Sequence, residues 1–110
     1  MPRASAPAEE PRQGKMIVFV SDFRNGLRVF QDIWLIRVKS SDYSLLIMED
    51  YFPVLGQVNG KIELMSEEGL TDLGRLKGFY VHRDNEFSLL IKEQLDEPGE
   101  TEAETQEEAE

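Results

Sequence analysis

The 110-residue chain has no cysteine, one histidine, one tryptophan and no long apolar run. Without cysteine there is no disulfide framework, no thiolate metal site and no cysteine nucleophile. No segment approaches the roughly eighteen consecutive apolar residues of a membrane-spanning helix. The chain therefore reads as soluble, with any membrane association made through a partner. The first ten residues carry acids and no apolar stretch, so they read as neither a secretory signal nor a transit peptide. Basic charge is scarce too: the formal net charge is −10, which argues against nucleic acid, whose phosphates require a net basic face.

That charge is unevenly placed. From Glu93 onward there are nine carboxylates and no Lys or Arg, whereas Met16–Lys92 holds nine basic and eleven acidic side chains, a net of about −2 by that count. The expected organisation is a disordered leader over 1–15, a β-sandwich domain over 16–93 and an acidic disordered tail over 94–110. Leader and tail hold little to bury, so ordering them would cost backbone entropy without return.

The body punctuates itself into short β-forming runs. Met16–Val20 ends at Ser21-Asp22 and the Asn25-Gly26 turn. Leu27–Asp32 and Ile33–Val38 follow, with Trp34, Ile36 and Val38 expected on one face. A helix over Leu27–Val38 meets no breaker, but β-branched and aromatic enrichment favours strands. Leu45–Met48 opens the stretch that organises the chain: an apolar strand, the acidic pair Glu49-Asp50, the aromatic pair Tyr51-Phe52, then Pro53, which lacks a donor for a neighbouring strand. Val54, Leu55 and Val58 resume the apolar pattern, and Asn59-Gly60 predicts a two-residue hairpin turn. Lys61–Met65 alternates with Ile62 and Leu64 inward. Ser66–Gly69 reads as a turn or as a helix start, because Leu70, Leu73 and Leu76 fall three apart. Gly78–His82 and Phe87–Ile91 are further strands around the turn Arg83–Glu86. About eight short strands at this spacing predict an all-β fold, a small sandwich or flattened barrel.

Nothing in this pattern carries catalysis. His82, between Val81 and Arg83, has no second histidine for a metal and no serine partner, so it reads as an exposed or hydrogen-bonded surface histidine. Glu49 and Asp50 point opposite ways on an extended chain and do not converge on one ion, so they read as a solvated corner, as does Glu67-Glu68 as a turn. No Gly-rich phosphate loop is present. No catalytic, cofactor or metal residue is assigned.

The order of strands and turns resembles the N-terminal β-domain of the epsilon subunit of F-type ATP synthases, the delta subunit of mitochondrial ones. Phe19-Val20-Ser21-Asp22 and Phe30-Gln31-Asp32 match its first strand and turn, and Ile36-Arg37-Val38 precedes the turn Lys39–Ser44. Leu45-Leu46-Ile47 fits the "L-G-I" of the family's "L-G-I-L-P-G-H-A-P-L-L", and Pro53-Val54-Leu55 fits its "P-L-L", with the same eight-residue step from Leu45 to Pro53. Asn59-Gly60 takes the Pro-Gly turn, Gly78-Phe79-Tyr80-Val81 the late glycine-aromatic strand, and Phe87-Ser88-Leu89-Leu90 the last. Glu49-Asp50-Tyr51 replaces "P-G-H", the turn before Leu45 lacks its glycines, and Lys77 stands where a glycine is usual.

The resemblance implies a non-catalytic rotor subunit that couples proton- or ion-driven ring rotation to the gamma subunit. It would lie on the cytoplasmic side, peripheral to the inner face of the plasma membrane through the complex. It implies a c-ring-facing turn of Lys39, Ser41, Asp42, Tyr43 and Ser44, and a stalk-facing corner of Glu49, Asp50, Tyr51, Phe52 and Pro53. The aromatics there offer rigid docking area and the acids pairing partners for Arg or Lys; alternatively Phe52 is plain core and the acids serve solubility. The rival reading is a free-standing protein-binding β-sandwich, including a diverged paralogue of the subunit. The family's C-terminal helical hairpin has no counterpart in the acidic stretch after Glu93. Adding the protein to an F-type ATPase is accordingly expected to leave ATP hydrolysis unsuppressed; suppression relieved by trimming the tail would contradict this.

Overall fold

The computed structural model describes residues 14–95. The expectations for 1–13 and 96–110 lie outside them. Among the described residues the regular structure is all β: β1 (Met16–Asp22), β2 (Gly26–Ser40), β3 (Tyr43–Ile47), β4 (Val54–Ser66), β5 (Gly69–Arg83) and β6 (Glu86–Gln94). The sheet order is β1-β6-β5-β4-β2-β3, and a further β1–β2 pairing closes five strands into a ring with β3 added beside β2. All pairings are antiparallel except β1 with β6. A flattened barrel is what the strand pattern predicted. The strands are six rather than about eight, because three of them run 13 to 15 residues and bend instead of stopping.

The bends are β-bulges, where one strand carries an extra residue and the ladder turns a corner. In β2, Gln31 and Asp32 oppose the single Ile17, and Asp32 takes φ +60°. Two residues on, Trp34 is the extra residue between Ile33↔Ser66 and Leu35↔Met65. In β5, Leu73 and Gly74 oppose Ile62; Gly74 sits at φ +81° and its amide donates to Asp72 Oδ1 at 2.8 Å. A bulge changes the inward spacing from two to three. Hence Leu73 and Leu76 both enter the core, as do Ile33 and Ile36.

Three expectations are corrected by this geometry. Leu70–Leu76 is strand rather than helix: the bulge makes the step from Leu73 to Leu76 three, and Leu70 does not share their face but is exposed. Trp34 does not share the inward face of Ile36 and Val38: it is half-buried, and Ile33 takes the core position. Asn59-Gly60 is not a hairpin turn, since β4 passes through it. The end of β2 binds there instead, with Ser41 N donating to Asn59 O at 3.0 Å and Asn59 N to Ser40 Oγ at 2.9 Å. A Cβ on Gly60 would lie 1.9 Å from the Lys39 carbonyl oxygen, so the glycine serves close backbone approach. The turn at Asp84-Asn85 does form as expected, with both residues at positive φ as a two-residue hairpin connection requires.

The core is a contiguous apolar cluster, from Met16, Val18 and Val20 through Ile36, Val38 and Ile62 to Phe87, Leu89 and Ile91, with Glu63 and His82 as the buried polar side chains among the described residues. Ile62 and Leu64 point inward as the alternation predicted. Gly60→Ala should therefore cost about 2–3 kcal/mol, as overpacking against unyielding backbone does. Chemical denaturation at constant m-value checks it.

Candidate functional site

Among the described residues no group of three or more His, Asp or Glu side chains is placed to hold a metal ion, and no helix is long and apolar enough to cross a membrane. What stands out lies on the outer face of β4, β5, β6, β1 and β2. There the register lines up Leu55, Val81, Ser88, Phe19 and Val29 in one row across the strands. The adjacent row is Gln57, Phe79, Leu90, Ser21 and Leu27. Leu55 is 76% exposed, Leu27 62% and Leu90 53%, so this is a largely apolar band open to solvent, interrupted by Ser21, Gln57 and Ser88. Lys77, Arg83 and Lys92 border it, with the Lys92 amino group 5.7 Å from the centre of the Phe79 ring. Sequence reasoning missed the band. The signal was present: hydrophobic residues on both faces of Gly78–Val81 and Phe87–Ile91 mean that one set must point away from the core.

The two segments singled out from the sequence flank this face rather than meeting in one site. Ser41 and Asp42 form the exposed tip of the β2–β3 hairpin, next to a shallow groove shared with Tyr43, Lys77, Phe79 and Lys92. Lys39 and Ser44 pair across that hairpin, both exposed. Tyr43 is half-buried: its hydroxyl lies 2.8 Å from that of Tyr80 and donates to the Gln57 carbonyl. Gly56 makes room for the pair, because a Cβ there would lie 2.8 Å from the Tyr80 hydroxyl. Burial, and then the bond to Tyr43, push the Tyr80 phenol above its ordinary range. Tyr43 thus ties the hairpin to β4 and β5.

The corner Glu49–Pro53 lies at the other end of the same face, leading directly into Leu55. Tyr51 N donates to Met48 O at 3.1 Å, making a tight turn. Asp50, at φ +64°, donates from its amide to Asn85 Oδ1 at 2.7 Å and accepts from Asn85 Nδ2 at 3.2 Å, which clips the corner to the β5–β6 turn. Glu49 and Asp50 are solvated as expected, with Glu49 3.6 Å from the Lys15 amino group. Tyr51 and Phe52 stack with ring centres 4.5 Å apart; Phe52 is 67% exposed and is not core.

His82 is the main correction among the singled-out residues. It is fully buried, not at the surface, because it shares the inward phase of β5 with Leu76, Gly78 and Tyr80. Neither ring nitrogen has a hydrogen-bond partner, and burial pushes its pKa below the ordinary histidine value.

The fold has a solved counterpart. A chain in the cryo-EM structure of the Tetrahymena thermophila mitochondrial ATP synthase central stalk and c-ring superposes with a TM-score of 0.62, covering 90% of this chain and 76% of that one. Identity over the match is 16%, so the likeness is one of fold. No model of a known protein family matches the sequence, and no curated protein does.

Tyr43→Phe should lower stability by about 1–2 kcal/mol, since it leaves the buried Tyr80 hydroxyl unpaired. Tyr80→Phe added to it should recover part of that loss, because removing both partners costs less than stranding one. A double-mutant cycle from denaturation curves reads the coupling.

Proposed function

We propose that the protein is a non-catalytic rotor component of an F-type ATP synthase, passing torque between the membrane ring and the central stalk through its outer surface. The observation that carries this is the shared architecture over nine-tenths of the chain with a protein of an ATP synthase central stalk and c-ring assembly. The surface chemistry supports it. A rotor coupling needs a broad, rigid, apolar docking face, and the band from Leu55 to Leu27 supplies one on a closed barrel.

In this reading the gamma subunit docks along the band and against the corner Glu49, Asp50, Tyr51, Phe52 and Pro53. The turn Lys39, Ser41, Asp42, Tyr43 and Ser44 faces the polar loops of the c-ring. The Tyr43 anchor keeps that turn from yielding under load. Glu49 and Asp50 meet basic side chains, Phe52 enters a partner pocket, and the protein is held at the membrane by the assembly alone.

Binding to the gamma subunit of the same organism's ATP synthase, measured by titration calorimetry, tests the reading. Leu55→Glu with Leu90→Glu should weaken that binding at least about tenfold while changing stability by less than about 0.5 kcal/mol each, as exposed positions allow. Full-strength binding by the double variant, or no binding by the wild type, would count against it.

A further inference from the structure

His82 is an expensive residue to place where it lies. Its ring is fully buried, and no described protein group hydrogen-bonds Nδ1 or Nε2. The groups facing it are aromatic or aliphatic. Phe87 of β6 lies 6.1 Å away between ring centres, and Tyr51 of the corner covers it edge-on at 6.4 Å. Val54 of β4 is its ladder partner, and the inward residues of β1 near this end, Met16 and Val18, are apolar. The titratable groups nearby are the phenols of Tyr51 and Tyr80. The charged side chains of this end, Lys15, Glu49, Asp50, Arg83, Asp84 and Glu86, are all exposed. Among the described residues no carboxylate bonds the ring.

We infer that His82 is the latch of an acid-operated corner: a proton on its ring is accommodated only when the Met48–Pro53 segment swings off the barrel, releasing Tyr51 and Phe52. The route follows from what holds each neighbour. Phe87 is bound into a ladder, paired with His82 on one side and with Val18 of β1 on the other. The corner is held to the barrel by the Asp50–Asn85 clip, the exposed Lys15–Glu49 pair and the packing of Tyr51 on the core, and the Met48–Tyr51 turn can move with it intact, so lifting it breaks no strand ladder.

The sign follows from linkage. Above the ordinary histidine value of about 6.5 neither the closed nor the opened form carries charge, and pH has no leverage. Below it the opened form takes up a proton and the closed form does not. Closure therefore weakens as pH falls, until the closed form's lower value is reached. The inference rests on the barrel and its corner alone, so it stands or falls separately from the rotor reading.

Amide exchange on the full chain, corrected for the intrinsic pH dependence of exchange, reads the latch. Going from about pH 7.5 to about pH 5.5, the amide of Asp50, which is bonded across to Asn85, should lose up to about tenfold protection, while those of Val18 and Leu89 keep theirs. His82→Leu should abolish that pH response. Equal responses in wild type and variant would overturn the inference, and so would core amides losing protection in step with the corner. Should His82→Leu fail to fold, the ring resonances of wild-type His82 decide. Their titration must coincide with corner opening, and a ring that titrates under a protected corner refutes the latch.

Discussion

A ring of only five strands encloses a narrow interior, and uniformly pleated strands cannot turn tightly enough to close it. Here closure depends on positions where the ladder is broken on purpose. Asp32 and Gly74 adopt positive φ inside strands, Trp34 is an unmatched residue in β2, and Gly60 lets the end of β2 press onto β4 without a side chain between. Each bulge lets a long strand serve two halves of the barrel. The first half of β5 pairs with β4 beside β2, and the second half carries β6, which in turn pairs with β1. Most of the remaining architecture follows from these corners. They decide which residues fall inward, where the chain can cross from one sheet to the other, and hence which face is left outside.

The same corners explain what was legible in the sequence. Alternation carried the all-β assignment and the inward places of Ile62 and Leu64, because between bulges the period of two is strict. Where a bulge intervenes, the period becomes three for one step. Leu73 and Leu76 then mimic a helix face, and Trp34 swaps sides with Ile33. Asn59-Gly60 has the composition of a turn, yet its glycine answers a different need, room for the Lys39 carbonyl. Asp84-Asn85 carries the turn instead, through two residues at positive φ without a glycine. Local composition identifies residues that tolerate special backbone; it does not say whether a turn or a close crossing requires it.

The candidate surface was half legible for a related reason. The hairpin tip and the acidic corner declare themselves by polarity and by position around Pro53. The band declares itself only once the ladder is known, because Leu55, Phe79, Leu90 and Leu27 come from four strands and are brought together by register alone. His82 was misplaced on the same account. A lone histidine between Val81 and Arg83 has the composition of a surface site, and only the phase of β5 puts it inside.

The corner shows how one short segment meets two demands at once. Asp50 sits at φ +64°, a backbone state that Asp tolerates better than most residues, and its amide and carboxylate are both used in the clip to Asn85. Tyr51 lies over His82 on β5, while Phe52, stacked on it, is turned outward and 67% exposed. The turn is thus held from beneath by the clip and by Tyr51, and what it leaves outside is aromatic area leading into Leu55, as a corner that presents a surface requires.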